Sequence, residues 1–293
     1  MIELIWSKGP HRNMYSDFQT ETIVKDSKSI INIINMFDGG VIWIRTGSDK
    51  NPDNVTDLDI FSKNLQHIKK PSILVTSDGD RPVPGSYSTD TVNLILNCDN
   101  IVKWYTQNYD MSNNHHKFKH MPIGMDFHSP WMLVENDPYK KLLFMLNIRL
   151  STKNKNKSQI LSDTHTHLTN PIRKTLFETI KNNKYVVFTK RRLTFVEITR
   201  AYNNFLFVLS PEGNGLDCHR TWELLLAGCI VIVKSSSLDK MYIDNQLPVV
   251  ILNDWSELNN NIETKLENWK NKYIQYTDIN SIYPKLKYNY WLK

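Results

Sequence analysis

The chain has little cysteine: its three residues, Cys98, Cys218 and Cys229, lie far apart and none belongs to a CxxC pair. That spacing excludes a disulfide scaffold and a Cys-rich zinc module, and in apolar or helical surroundings they read as reduced core residues of a soluble, cytoplasmic protein. Nowhere are there about 18 consecutive apolar residues, so no membrane span is expected. The opening "MIELIWSKGPHRNMYSDF" has only a short apolar run broken by Ser, Lys and Pro, which argues against a secretory leader. Solenoid-type repeats are absent. A glycine-rich turn is present but lacks the GK[ST] ending of a Walker loop.

With 293 residues, 40% hydrophobic and 23% charged, the chain has ordinary globular composition and exceeds one typical domain, so two are expected. The formal charge of +6 points to an anionic partner. Small phosphates satisfy that charge as well as nucleic acid does, and nucleic acid is not the expected partner.

Short apolar runs alternate with helical patterns. "IELIW" (Ile2 to Trp6), "GVIWIR" (Gly40 to Arg45), "SILVTS" (Ser72 to Ser77) and "VNLILN" (Val92 to Asn97) read as buried strands, with helices over "DSKSIINIINMF" and "TDLDIFSKNLQHIKK" between them. A second series runs "KLLFMLNIR" (Lys141 to Arg149), "KYVVFT" (Lys184 to Thr189), "FLFVLS" (Phe205 to Ser210), "GCIVIV" (Gly228 to Val233) and "LPVVIL" (Leu247 to Leu252), separated by "PIRKTLFETIKNN" and "TFVEITRAYNN". The Lys/Asn-rich stretch "STKNKNKSQILSDTHTH" reads as a loop. After Trp255, Ile262, Leu266, Trp269 and Tyr273 fall on one helical face and form a closing helix. The alternation predicts α/β architecture: two Rossmann-like α/β/α domains over 1–125 and 126–260, with 261–293 as closing helix and tail packing back on the first domain.

The densest chemistry lies in "SPEGNGLDCHRTWELLLAGCIVIV". Pro211 ends strand pairing, and Gly213, Asn214 and Gly215 form a turn whose glycines let a ligand approach the main chain. Asp217 is placed to cap a helix starting at Cys218. On it, Cys218, Trp222, Leu225 and Leu226 share one face while His219, Arg220 and Glu223 line the adjoining edge. A helix N-terminus with a guanidinium suits a diphosphate, and an acceptor-only Glu223 suits ribose hydroxyls. Taken singly, these residues are equally well explained as a surface ion pair and a satisfied histidine.

The stretch "FVLSPEGNGLDCHRTWELLLAGCIVIV…LPVVILNDWSEL", with "PIGMDFHS" and "VTSDGDRPVP", resembles the exostosin-like glycosyltransferases, including viral and xylosyltransferase-type members; the strong part covers Lys184 to Leu258. The resemblance implies a GT-B fold whose two Rossmann-like domains face a cleft. It implies inverting transfer of a sugar, xylose by family likeness, from a UDP-sugar to a hydroxyl of a glycan or glycoconjugate. It also implies that no metal or other cofactor is needed. Arg149, Thr152, Lys190, Arg191, Arg192 and Arg220 are then candidates for the leaving diphosphate, and Ser235 and Ser236 approach donor or acceptor. The base is expected from the first domain, at Asp78 or Asp80 behind "SILVTS", with His11 as rival. "SDGD" imitates DxD outside its usual setting, and His115, His116, His165 and His167 read as loop histidines rather than metal ligands. Two other readings keep the ligand class but change the role: a DNA-directed transferase and a non-catalytic sugar-nucleotide or glycan-binding protein. The sequence assigns no oligomeric state.

Overall fold

The structure is a computed structural model that describes residues 3–6, 9, 26–46, 55–127, 138–163 and 170–293. The first sheet is built from α1 (Ser27–Phe37), β1 (Val41–Arg45), α2 (Asp57–Ser62), β2 (Ser72–Ser77), α3 (Thr89–Leu96), β3 (Ile101–Thr106) and β4 (Phe118–His120). Its strands run parallel in the order β1-β2-β3-β4. The second contains α4 (Pro138–Ser151), β5 (Asn156–Ser162), α5 (Pro171–Ile180), β6 (Val186–Phe188), α6 (Phe195–Asn204), β7 (Phe205–Leu209), α7 (His219–Leu226), β8 (Ile230–Lys234), α8 (Asp239–Asp244) and β9 (Val249–Leu252). Its parallel order is β6-β5-β7-β8-β9. The chain steps outward from β5 to β6 and then returns to the other side of β5, which creates a topological switch point between β5 and β7.

The period of two along each strand explains why both faces are apolar. Ile42, Ile44 and Leu74 face α1, α2 and α3, whereas Trp43, Val75 and Tyr105 join a cluster that also contains Trp222, Leu225 and Val231 of the second sheet's layer. Ile160, Phe207, Ile230 and Ile232 face α5 and α9 (Ile262–Tyr273). One apolar cluster therefore runs between the two sheets.

Five sequence expectations are corrected. The described residues of the expected strand Ile2 to Trp6 join no sheet: Leu4 and Trp6 make only isolated bridges, to Lys287 and Met125. Val92 to Asn97 is not a strand: Ser88 caps a helix, and Val92, Ile95 and Leu96 bury at helical spacing while Leu94 stays exposed. Lys141 to Arg149 is likewise helical, with Leu142 and Met145 buried but Leu143 and Leu150 open to solvent. The polar stretch read as a loop contains β5, of which only Ile160, Leu161 and Ser162 are buried. The expected helix over Thr56 to Lys70 stops at Ser62 and resumes as a 3-10 turn over Leu65–His67.

In α9, Ile262 and Leu266 are buried and Trp269 lies 6.3 Å from Phe207, so this helix covers the second sheet. The tail beyond it, α10 (Ile279–Ile282) and α11 (Tyr288–Trp291), meets the chain's opening residues and β3. Leu4 bridges Lys287, the Tyr288 hydroxyl donates to the Trp6 carbonyl at 2.8 Å, and the Tyr105 hydroxyl donates to the Lys293 carbonyl at 2.7 Å. No helix among the described residues is long and apolar enough to cross a membrane.

Candidate functional site

A cavity of about 360 Å³ opens at the switch point. The second sheet contributes Asp163, directly after β5, the Gly213–Gly215 turn after β7, and Cys218, His219, Arg220 and Glu223 at the start of α7. Arg173 of α5 and Arg192 also face it, and Asp80, Ile123 and Asp126 come from loops that follow β2 and β4. Open parallel sheets bind ligands at this place because the loops on either side of the crossover diverge and leave a crevice.

The helix edge anticipated from the sequence is realised: Trp222, Leu225 and Leu226 are fully buried, and His219, Arg220 and Glu223 line the cavity. The cap is different. Cys218 occupies the N-cap position, and the Asp217 carboxylate turns inward, accepting from the Trp222 indole at 2.9 Å and from the Ile123 and Cys218 amides at 2.8 and 2.9 Å. Burial nonetheless pushes the Asp217 pKa up to about 6. Gly213, Asn214 and Gly215 line the cavity, and neither glycine is left-handed. A Cβ on Gly215 would stand 2.7 Å from Asn108 Nδ2, and one on Gly213 would stand 3.2 Å from Arg173 Nη2. Neighbouring protein groups therefore already crowd both glycines on the side a Cβ would occupy.

Arg220 is paired. Its Nε and Nη2 donate to Asp163 at 2.8 and 3.3 Å, and the Tyr202 hydroxyl donates to the same carboxylate at 3.3 Å. Burial opposes the Arg220 charge, yet Asp163 holds its pKa above the usual guanidinium value. Arg173 is different. It donates to the Glu212 carbonyl at 2.9 Å and, among the described residues, makes no ion pair. Burial first, and then the neighbouring Arg220 charge, push its pKa down. Two guanidiniums in one partly dry wall form an arrangement that an anion would relieve.

A second group of charges sits deeper. Glu223 is 9% exposed, and burial together with the Asp126 carboxylate raises its pKa to about 7. Lys141 is fully buried beside both acids, and burial lowers its pKa against their attraction. A carboxyl poised between its charge states can give or take a hydrogen bond from a hydroxyl.

Several anticipated residues lie elsewhere. Arg149 donates to the carbonyls of Leu225, Leu226 and Thr277, so it closes the far end of α7. Thr152 bonds to Ile148, Arg191 pairs with Glu197 at 2.5 Å on an exposed turn, Lys190 is exposed, and Ser235 donates to Asp239. Pro211 is buried and its carbonyl meets Cys218 Sγ at 3.5 Å. Asp78 pairs with Arg45 at 3.0 Å and does not line the cavity, whereas Asp80 does. His11, His165 and His167 lie outside the described residues. The His115 and His116 rings lie 4.2 Å apart at a tilt of 35°, and no metal-holding group of His, Cys, Asp and Glu gathers among the described residues.

The residues missed from the sequence are Asp163, Arg173, Tyr202 and Asp126. Arg173 left a signal: a cation in the first turn of a helix opposes the macrodipole and asks for another reason to be there. No protein-family model matches the chain, and no curated protein matches it.

Proposed function

We propose that the cavity binds a nucleoside diphosphate sugar, with UDP as the nucleotide, and that the protein transfers the sugar to a hydroxyl of a glycan or glycoconjugate with inversion. The observation that carries this reading is the juxtaposition of Arg173, from α5, and Arg220, at the start of α7, on the switch point between β5 and β7, in a cavity that Asp80 of the loop after β2 also lines. Arg220 is already satisfied by Asp163, so Arg173 supplies the uncommitted charge for the diphosphate, and the α7 N-terminus adds its dipole. Glu223, which lines the same cavity, is suited to ribose hydroxyls.

In the transfer, the acceptor oxygen forms a bond to the anomeric carbon as the bond to the diphosphate breaks. The hydroxyl proton passes to a carboxylate, and the departing diphosphate takes the negative charge toward the guanidiniums. Of the two carboxylates anticipated as base, Asp80 lines the cavity and Asp78 does not, so Asp80 is assigned the role. Two Rossmann-like sheets on either side of such a crevice fit the GT-B arrangement of the exostosin-like enzymes, and xylose is the donor sugar which that likeness favours.

A panel of UDP-, GDP- and dTDP-sugars, read by release of the free nucleotide, tests the proposal. UDP-sugar turnover is expected in the wild type and lost in Asp80→Asn, with UDP affinity retained. Turnover that survives Asp80→Asn would remove the assignment of the base, and no turnover with any donor would leave only a binding role.

A further inference from the structure

Loops of the two sheets are tied directly to each other. Ile123 donates to Asp217 Oδ2 at 2.8 Å, His219 Nδ1 meets the Gly124 carbonyl at 2.8 Å, and Ser237 donates to the Tyr109 carbonyl at 2.8 Å. Asn108 differs from these ties because it engages both loops that carry the proposed chemistry. Its Oδ1 accepts from the Asp217 amide at 2.9 Å, and its Nδ2 donates to the Gly79 carbonyl at 3.1 Å, one residue before Asp80. The residue is 1% exposed, and its backbone sits at φ 53°, a left-handed conformation that Asn tolerates better than most residues. Gly215 presses on it from the donor side: an added Cβ would stand 2.7 Å from Asn108 Nδ2 and 3.1 Å from the Asp80 carbonyl.

We infer that Asn108 is a positioning residue: it fixes the separation between the loop bearing Asp80 and the turn that opens α7, and with it the distance from the proton acceptor to the anomeric carbon of a bound donor. The inference rests on the transfer reaction proposed above. Asn108 touches neither reactant. Its effect is geometric, and a misplacement of about 1 Å in a reacting group is enough to cost about 100-fold in rate.

Asn108→Gly tests this, since glycine keeps the left-handed backbone without strain while both side-chain bonds disappear. UDP-sugar turnover is expected to fall about 10- to 100-fold in kcat, with the calorimetric affinity for UDP within about twofold of wild type. Hydrogen exchange at the Asp217 amide is expected to accelerate about tenfold or more, with β8 amides unchanged. Gly215→Ala, made on the opposite loop, is expected to reproduce the kcat loss, and Asn108→Gly/Gly215→Ala to lose less than the two effects combined, because removing Asn108 makes room for the methyl group. Unchanged kcat in Asn108→Gly, or UDP affinity falling in step with kcat, overturns the positioning role. If the wild type neither binds UDP nor turns over a UDP-sugar, the transfer reading falls instead; the Asp217 exchange still decides whether Asn108 ties the loops, and an unchanged rate there refutes the tie.

Discussion

Arg220 and Asp163 face each other across the switch point, Nε to Oδ2 at 2.8 Å, with side chains only 11% and 6% exposed. One comes from the start of α7 and the other from the residue after β5, so the pair joins the two strands between which the crevice opens. A paired, buried guanidinium is held in place but has little charge left to attract a ligand, and Arg173 has the larger share of that task.

Asp163→Ala should leave Arg220 buried without its carboxylate, a loss of about 3–5 kcal/mol in folding stability. UDP should then raise the melting temperature more in the variant than in the wild type, since the ligand replaces the missing anion. Thermal shift with and without UDP reads both effects. A smaller UDP shift in the variant would mean that the diphosphate does not lie against Arg220.

Arg173→Ala should weaken UDP about 10- to 100-fold, the worth of one charge-assisted contact, with a minor change in stability. Calorimetric titration and chemical denaturation separate the two. The opposite pattern, a large stability loss at unchanged affinity, would make Arg173 a structural partner of the Glu212 carbonyl.

Glu223 gives a pH signature. Burial and Asp126 raise its pKa from 4.5 to about 7, so the native state holds the proton more tightly than the unfolded chain does. Its contribution to stability is therefore greatest at acid pH and declines as pH rises through that window, by about 3 kcal/mol in all. Glu223→Gln should flatten this decline when denaturant unfolding is measured at several pH values between 4.5 and 7.5 or so. A slope that is the same in the variant would show that the carboxyl titrates normally.

Arg149→Met should cost about 3 kcal/mol by freeing the carbonyls at the end of α7, with UDP affinity as in the wild type. An affinity loss without a stability loss would return Arg149 to the ligand site.

The second sheet was more legible in the sequence than the first. β6 to β9 are uninterrupted apolar runs bounded by turn residues, and α1, α5 and α6 begin at readable caps. The errors have physical sources. Val92 to Asn97 and Lys141 to Arg149 are apolar on too many consecutive positions for a period to show, and tertiary burial selects the helical faces. In β3 the interior Lys103 hides a strand, and in β5 the polar lead-in does the same. The site divided along the same line. The α7 edge and Asn214 are readable from local pattern and Asp80 from the family resemblance, whereas Asp163 lies in a polar stretch with the pattern of a loop, and no local signal pairs it with Arg220. Asn108 could not be found at all, since its two partners lie on different loops.

Calorimetric titration of the wild type and Arg173→Ala with UDP at physiological ionic strength is the most direct test of the cavity's role. One nucleotide per chain is expected, with a Kd of about 1–100 µM that rises about tenfold or more in the variant while the fold is retained. No binding of UDP, GDP or dTDP to the wild type, or wild-type affinity in both Arg173→Ala and Arg220→Ala, would contradict a diphosphate seat at the switch point.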